Sequence, residues 1–567
     1  MKKIIKQLFR KQTMRMIGLS FLISQLSMNV ALAQPAWVKK ATKSVFTLKT
    51  FAPDGSLIAS TNGFFTGSNG EAVSNYTPFK GASRAIIIDP QGKEMPVLSI
   101  IGVNDMYDVV KFRVQGKSQP LPLASSTASV GSNVWLLPYR EVKTLKNGVV
   151  RKSEKFQEQY DYYTVAMTMP ENTVSCPLLN DAGEVLGMMQ QPAAANDSLS
   201  YAVSARFADS LRISGFGMSE SSLQQTTIKK ELPDDIKEAN VAIYLASTTV
   251  DSMTYATMVH DFIAKFPNAP DGYSYRAQME VSGSEFAAAE RDMEQYIKLA
   301  DRKDDAHFNY ARLIYNKEIF QSNQPYANWS LDKALSEVRT ASSMNPQSTY
   351  RKLEGDILYA QQKYDEAYTI YNDLTNSDLR SAEIFYSAAK CKEMLKDTTA
   401  MLALMDSTIN TFSRPYLKEA APYIWARAQA RRNAGKFRDA ISDMNDYEEL
   451  MKATINDNFY YIRHQADIEG RLYQQALNDI DRAIQLNPQE TLYYAEKASL
   501  QVRVGLYDDA IATSKECIAI EPDNSDGYLF LGLAQCLKGQ KAEGIANLQK
   551  AQSMGSPQAE SLIEKYK

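Results

Sequence analysis

From Ile236 to the C-terminus, apolar residues recur every three or four positions in stretches of about a dozen, each closed by Pro, Gly or a polar cluster. That rhythm predicts short amphipathic helices. The stretches come in pairs, and the pairs repeat. Ala476, Ala510 and Gly544 stand 34 residues apart, as do Ala483, Cys517 and Ala551. Pro488, Pro522 and Pro557 mark the unit ends, because a ring without an N–H cannot continue a helix. Counted back from the C-terminus, units begin near Ser525, Thr491, Asp457, Ala421, Ser381, Ser348, Asp304 and Pro270. Small residues recur at matched places: Ala277 and Ala289, Ala311 and Ala334, Gly355 and Ala367, Ala388 and Ala400, Ala428 and Ala440. They predict close approach of two antiparallel helices in each unit. Gln321–Asn328 is an insertion that lengthens one turn and displaces Ala334.

Residues 36–215 follow a different rhythm. Runs of strand length, such as Val45–Thr50, Gly63–Thr66 and Ala85–Asp89, alternate with the turn signals Pro53-Asp-Gly55, Ser68-Asn-Gly70 and Pro90-Gln-Gly92. An all-β sandwich or barrel is expected. Residues 216–235 are polar and without periodicity, the composition of a linker. At 567 residues the chain exceeds what one core supports, so a multidomain protein is predicted, all-β first and all-α second.

The helical units, quoted as Thr491-Leu-Tyr-Tyr-Ala-Glu-Lys-Ala498 with Tyr507-Asp-Asp-Ala510 and Pro522, resemble tetratricopeptide repeats over residues 236–567, in about eight copies. The resemblance implies a superhelical solenoid whose first helices line a concave groove. Position in the repeat then assigns to that groove Phe308, Arg312 and Tyr315; Lys352, Asp356 and Tyr359; Phe385 and Lys392; Trp425, Gln429 and Arg432; and Tyr461 and Gln465. Aromatics alternating with cations suit an extended acidic or C-terminal peptide. The competing reading makes the aromatics inter-repeat core and leaves the cations solvated.

The β segment carries Gly63-Phe-Phe-Thr-Gly-Ser-Asn-Gly70, Ala72-Val-Ser-Asn-Tyr-Thr77, Met106-Tyr-Asp108-Val-Val110, Pro177-Leu-Leu-Asn-Asp-Ala-Gly-Glu-Val-Leu-Gly187 and Tyr201-Ala-Val-Ser204. In that order the pieces resemble trypsin-like serine proteases of the HtrA type, which implies a double barrel. The resemblance puts Thr77 at the place of the general-base histidine, Asp108 at the orienting aspartate and Val174 at the nucleophilic serine. Thr77 has no basic nitrogen and Val174 no nucleophile. The family's glycine-rich loop reads Asn172-Thr-Val-Ser-Cys-Pro177 here. A shift of register offers Ser175, or the thiol of Cys176, but the three histidines are His260, His307 and His464, all in the helical half. Lys80 or Lys111 as a base has no support from spacing. Asp108 then reads as a hydrogen-bonded turn acid.

The first 33 residues hold six Lys and Arg and no acid, then an apolar run from about Met16 to Val30, then Ala31-Leu-Ala33. This is the layout of a cleavable secretory signal, cut after Ala33. A periplasmic or secreted protein with no transmembrane segment in the mature chain is expected. Its loss changes the formal net charge from −3 to −9, which disfavours nucleic acid as a partner. Four cysteines are too few for a disulfide framework at this size, although a Cys517–Cys536 pair stays open. No phosphate loop, zinc motif or calcium loop occurs, so neither cofactor nor metal is implied. These features describe an exported scaffold or adaptor that binds proteins or extended peptides and carries a protease-like domain without catalysis. The alternatives are an active trypsin-like endopeptidase whose repeats recruit substrate, and a holdase chaperone.

Overall fold

The computed structural model describes residues 35–139, 145–156, 158–192, 194, 197–217 and 220–567. The leader and its cleavage site lie outside the described residues. Six strands, β1 (Val45–Phe51), β2 (Leu57–Phe65), β3 (Glu71–Ser74), β4 (Arg84–Ile88), β5 (Glu94–Asn104) and β6 (Val109–Val114), close into an antiparallel barrel in the order 1-2-3-6-5-4. Six more, β7 (Asn133–Leu136), β8 (Lys146–Phe156), β9 (Tyr160–Ala166), β10 (Pro177–Leu179), β11 (Val185–Met189) and β12 (Leu199–Ser204), close in the order 7-8-9-12-11-10. The second circuit repeats the first, so the trypsin-like double barrel expected from the sequence is present. Alternation along the strands sets which side chains turn inward; in β9, Asp161, Tyr163 and Val165 are buried and their neighbours are not.

The first barrel is filled by Phe46, Leu48, Phe65, Phe79, Ile87, Ile100 and Phe112, with Phe46 and Phe65 ring centroids 4.8 Å apart. Val45, Phe64, Val73 and Val109 of the same strands join the core of the second barrel, which makes an apolar seam between the two. Gly70 shows how tightly β3 enters: its φ is +79°, and a Cβ there would lie 2.0 Å from the Val114 carbonyl oxygen.

Residues 216–235, expected as a linker, are bound to the first barrel. Ile228 enters its core, the Ile100 N–H donates to Lys229 O (2.8 Å), and the Glu231 N–H donates to Ile100 O (2.8 Å). Glu231 accepts from Arg113 Nε (3.0 Å) and Nη2 (2.9 Å) and from Ser99 Oγ (3.1 Å). Main-chain pairing of this kind needs no hydrophobic period, which explains the linker-like composition.

The chain divides into two compact units at Met279/Glu280. The first unit ends with α1 (Ile236–Thr249), α2 (Ser252–Lys265) and most of α3 (Pro270–Ser282). Asp235 caps α1 and Asp251 caps α2, each accepting from two backbone N–H groups. Lys265 Nζ donates to Leu232 O (2.6 Å) and Lys229 pairs with Asp261 (2.6 Å), fixing these helices to the barrel-bound segment.

The second unit is a run of helices: α4 (Phe286–Leu299), α5 (Lys303–Phe320), α6 (Leu331–Met344), α7 (Ser348–Ala360), α8 (Tyr364–Leu374), α9 (Ala382–Met394) and α10 (Thr398–Ile409). It continues with α11 (Ala421–Asn433), α12 (Phe437–Met451), α13 (Asp457–Glu469), α14 (Tyr473–Leu486), α15 (Thr491–Arg503), α16 (Tyr507–Ile520), α17 (Ser525–Leu537), α18 (Lys541–Ser553) and α19 (Ala559–Tyr566). Each packs on the next, giving the helix-pair stack the periodicity predicted. Ala289, Ala311, Ala334, Ala367, Ala388, Ala428, Ala440, Ala476 and Ala510 are fully buried at the close approaches, whereas Ala400 is half-buried. The turn within a pair takes a left-handed residue, Gly435, Gly505 and Gly539 in three units and Gln362, Lys396 and Arg471 in others. The insertion forms a packed strap. Trp329, 3% exposed, lies on Phe286 and donates from Nε1 to Tyr310 Oη (3.0 Å), while Tyr326 Oη (2.6 Å) and Asn328 Nδ2 (2.8 Å) donate to Glu290.

Candidate functional site

The degenerate triad positions come together where β3, β6 and the loop before β10 meet. β3 ends at Ser74, and the chain turns through Asn75 and Tyr76 into a short 3-10 turn beginning at Thr77. Asp108, at φ 51°, precedes β6. Its Oδ1 accepts from the Thr77 N–H (2.6 Å) and from Thr77 Oγ1 (2.8 Å), so this carboxylate orients a hydroxyl where the protease pattern would orient an imidazole. The pair is the hydrogen-bonded turn acid expected for Asp108.

Ser175 is fully buried and left-handed at φ 64°. Its Oγ donates to Asn75 Oδ1 (2.8 Å) and accepts from the Asn75 N–H (3.0 Å). Asn75 Oδ1 also accepts from Thr61 Oγ1 (2.9 Å). A carboxamide oxygen holds a hydroxyl in place but does not take its proton at neutral pH, so the contact orients Ser175 without activating it. The backbone of the loop is similarly engaged. The Ser175 N–H donates to Met189 O (2.9 Å), and the Met189 N–H donates to Cys176 O (3.0 Å). Asn62 Nδ2 donates to Asn172 O (2.7 Å) and Val174 O (3.2 Å). Asn172 and Ser175, at two of the family's glycine places, both keep positive φ, so the loop retains a glycine-like path without glycine.

The remaining candidates in this half are accounted for by their neighbours. Val174 is half-buried beside Ser175. Cys176 is fully buried, and burial pushes its thiol up to about 12, far from the thiolate that attacks. Lys80 pairs with Asp105 (2.6 Å) and Lys111 with Glu71 (3.2 Å). Sequence reasoning missed Asn62 and Asn75 as the groups that organise the site. Asn75 stood within the quoted run, but nothing in the run says that it faces residue 175, one hundred positions on.

On the helical unit, the residues assigned to the groove lie along the seam where successive first helices meet. Phe308 packs on Tyr350 (4.8 Å), Trp425 on Phe459 (5.8 Å) and Tyr461 on Tyr493 (5.3 Å). Lys352 pairs with Asp356 (3.2 Å) and Glu383 (2.9 Å), and Arg432 is bidentate to Glu469 (2.7 and 2.9 Å). Lys392 sits 3.9 Å over the Tyr368 ring, and buried Phe385 lies under Arg380 at 4.8 Å. Tyr359 packs on Tyr364 (5.3 Å), and Tyr315 is half-buried. Arg312 is exposed, over Phe308 at 5.6 Å. Cations on one first helix are thus largely matched by acids or rings already in the protein, and Arg312 Nη2 itself donates to Asn309 Oδ1 (3.0 Å).

The histidines and cysteines are structural in their settings. His307 Nδ1 meets Glu337 (2.6 Å), and fully buried His464 bonds through Nδ1 to Ala476 O (2.8 Å). All four cysteines are free and buried, so Cys517 and Cys536 are not paired. No helix among the described residues is long and apolar enough to cross a membrane.

No family model matches the sequence. Among curated proteins, the chain is similar to small glutamine-rich tetratricopeptide repeat-containing protein 2 of Saccharomyces cerevisiae, 32% identical over 73 residues, 13% of this chain and 21% of that protein. It is 25% identical over 87 residues to the SGT1 homolog of Bos taurus, covering 15% and 26%. It is 29% identical over 90 residues to the TPR repeat-containing thioredoxin TDX of Arabidopsis thaliana, covering 16% and 23%. The chain spans about a quarter of the length of these relatives. Among solved structures, it is similar to an active-form protease of M. tuberculosis, with 19% identity, 31% of this chain, 82% of that chain and a TM-score of 0.27. A serine endoprotease of Yersinia pestis gives 16% identity, 30% and 62% coverage and a TM-score of 0.27. The strand circuits and the helix-pair stack give an N-terminal double barrel followed by helical repeats, and a 73-residue stretch of the chain is similar to a tetratricopeptide repeat-containing protein.

Proposed function

We propose that this chain is an exported adaptor that binds proteins or extended peptides through its helical repeats, with a protease-like double barrel that does not hydrolyse. The observation that carries the non-catalytic part is the Ser175–Asn75 contact: the serine hydroxyl of the nucleophile loop is buried and bound to a carboxamide (2.8 Å), with no imidazole anywhere in residues 36–215. Loss of the base removes most of a triad's rate advantage. The binding part is supported by the repeats and by their likeness to tetratricopeptide proteins. Export, to the periplasm or the medium, is supported by the layout of the first 33 residues.

A fluorophosphonate reporter tests the first part. The full chain is expected to stay unlabelled by intact mass under conditions that label an active serine protease to completion; stoichiometric labelling at Ser175 refutes it. Crosslinking of the full chain in cell-envelope extract tests the second. Crosslinks from residues 303–567 to another chain are expected, and their confinement to the double barrel overturns the assignment of binding to the repeats.

A further inference from the structure

Away from the triad positions, the second barrel holds a pocket of about 440 Å³, between the loop 124–127, the ends of β8 and β9, and the turn after β12. Its volume falls within the roughly 300–1,000 Å³ range of small-molecule sites. Its lining is not that of an apolar ligand site. The inner wall carries polar side chains that are more than nine-tenths buried, Asp161 at 5% and Ser204 at 7% exposure, beside buried Tyr163. Asp161 is held in place by Ser153 Oγ (3.0 Å) and Lys155 Nζ (3.0 Å). Burial keeps the Tyr163 phenol protonated, pushed up to about 12.

Charge and shape restrict the occupant. The charged lining consists of Lys155 and Arg206 against Asp161 and Asp209, so it carries no net field that would select an ion. Paired donors and acceptors at close quarters suit a neutral molecule whose neighbouring hydroxyls each give and accept a hydrogen bond. A peptide strand is a poor fit, because β8, β9, β11 and β12 each have both neighbours in the closed barrel and offer no edge to pair with. A second cavity of about 360 Å³ shares Ser126, Thr127 and Leu186 with the first and is lined further by Ser129, Ser132 and Asn133. Hydroxyl and amide groups therefore continue past the space needed for a single ring.

We infer that this pocket binds a neutral polyhydroxylated ligand, a sugar ring or short glycan, between the Lys155–Asp161 pair of β8 and β9 on one side and Arg206 and Asp209 of the turn after β12 on the other.

Ligand-observed saturation-transfer NMR on the full chain tests it, with the methyl glycosides of glucose, galactose and mannose, N-acetylglucosamine and myo-inositol as probes. Glucuronate, glucosamine, inorganic phosphate and a blocked neutral tripeptide serve as comparators. At least one neutral probe is expected to bind saturably and more tightly than every comparator. Arg206→Ala and Asp209→Asn, both at exposed positions, are each expected to weaken it roughly tenfold. Arg206 Nη1 also donates to Ser125 O (3.1 Å), so Asp209→Asn provides the variant free of that backbone contact. The inference is overturned by no saturable binding of any neutral probe, by tighter binding of a comparator, or by affinity unchanged in both variants.

Discussion

Asp467→Asn should make the repeat array more stable at pH 8 than the parent and leave it unchanged below about pH 4. Asp467 lies on α13, 1% exposed, with Oδ1 meeting no donor and the other oxygen hydrogen-bonded to Asp479 on α14. Burial, and then the Asp479 charge, raise its carboxyl from 3.8 to about 7, while Arg463 opposes them. Asp479 itself is fixed by Arg463, which donates from Nε (2.6 Å) and Nη2 (2.8 Å) and reaches Glu448 with Nη1 (2.6 Å). The folded protein therefore holds a proton up to about pH 7 that the unfolded chain releases near pH 4. Native Asp467 binds more protons than unfolded Asp467 across that window, so its contribution to stability falls as pH rises through it and levels off above. A displacement of this size corresponds to at most about 4 kcal/mol. Local relaxation around a buried charge reduces that to on the order of 2 kcal/mol. Asn keeps the shape and donates to Asp479 at every pH. Because repeat stacks open unit by unit, the readout is native-state hydrogen exchange of peptides from α13 and α14 in the full chain, from pH 5 to pH 8. The protection gained by the variant should grow with pH over that range. A gain that is the same at both ends, or a loss at pH 8, refutes a raised Asp467 carboxyl in the folded array.

Two further outcomes follow from other sites. Arg471→Gly, at φ 60° in the turn where other units carry Gly435, Gly505 and Gly539, should raise the midpoint of array unfolding, by about 0.5–1 kcal/mol in a denaturant titration; no change, or a loss, refutes left-handed strain there. Asn75→Ala removes the acceptor of the buried Ser175 O–H, leaving its oxygen only the backbone N–H of residue 75, and should cost about 1–3 kcal/mol, read as faster exchange in β3 and in the loop before β10, and Asn75→Ala combined with Ser175→Ala should recover part of it.

Much of the architecture was legible because it is written in local rhythm. The 34-residue spacing of Ala476, Ala510 and Gly544 reflects helix pairs that exclude any larger side chain at the crossing; a Cβ on Gly544 would lie 2.4 Å from Cys536 Sγ. The strand alternation of residues 45–204 likewise carries the inward and outward faces of two barrels. The missing base was legible as composition, since no histidine occurs in that half. Polar partnerships were not legible. The pairing of Lys229 and Glu231 with Ile100 was hidden because main-chain hydrogen bonds leave no side-chain pattern. The aromatic and basic positions of the first helices could be placed by their period, but whether Arg432 points to a ligand or to Glu469 depends on the neighbouring helix.

The sequence by itself determined the periods, the small residues that let helices cross, and the absence of histidine from residues 36–215, because each is a property of the residues along the chain. Only the tertiary structure decided that Ser175 faces Asn75, that Glu231 locks to Arg113, and that Asp467 is buried beside Asp479. Hydrogen bonds and ion pairs depend on which groups meet in space, and burial then sets how strongly they count.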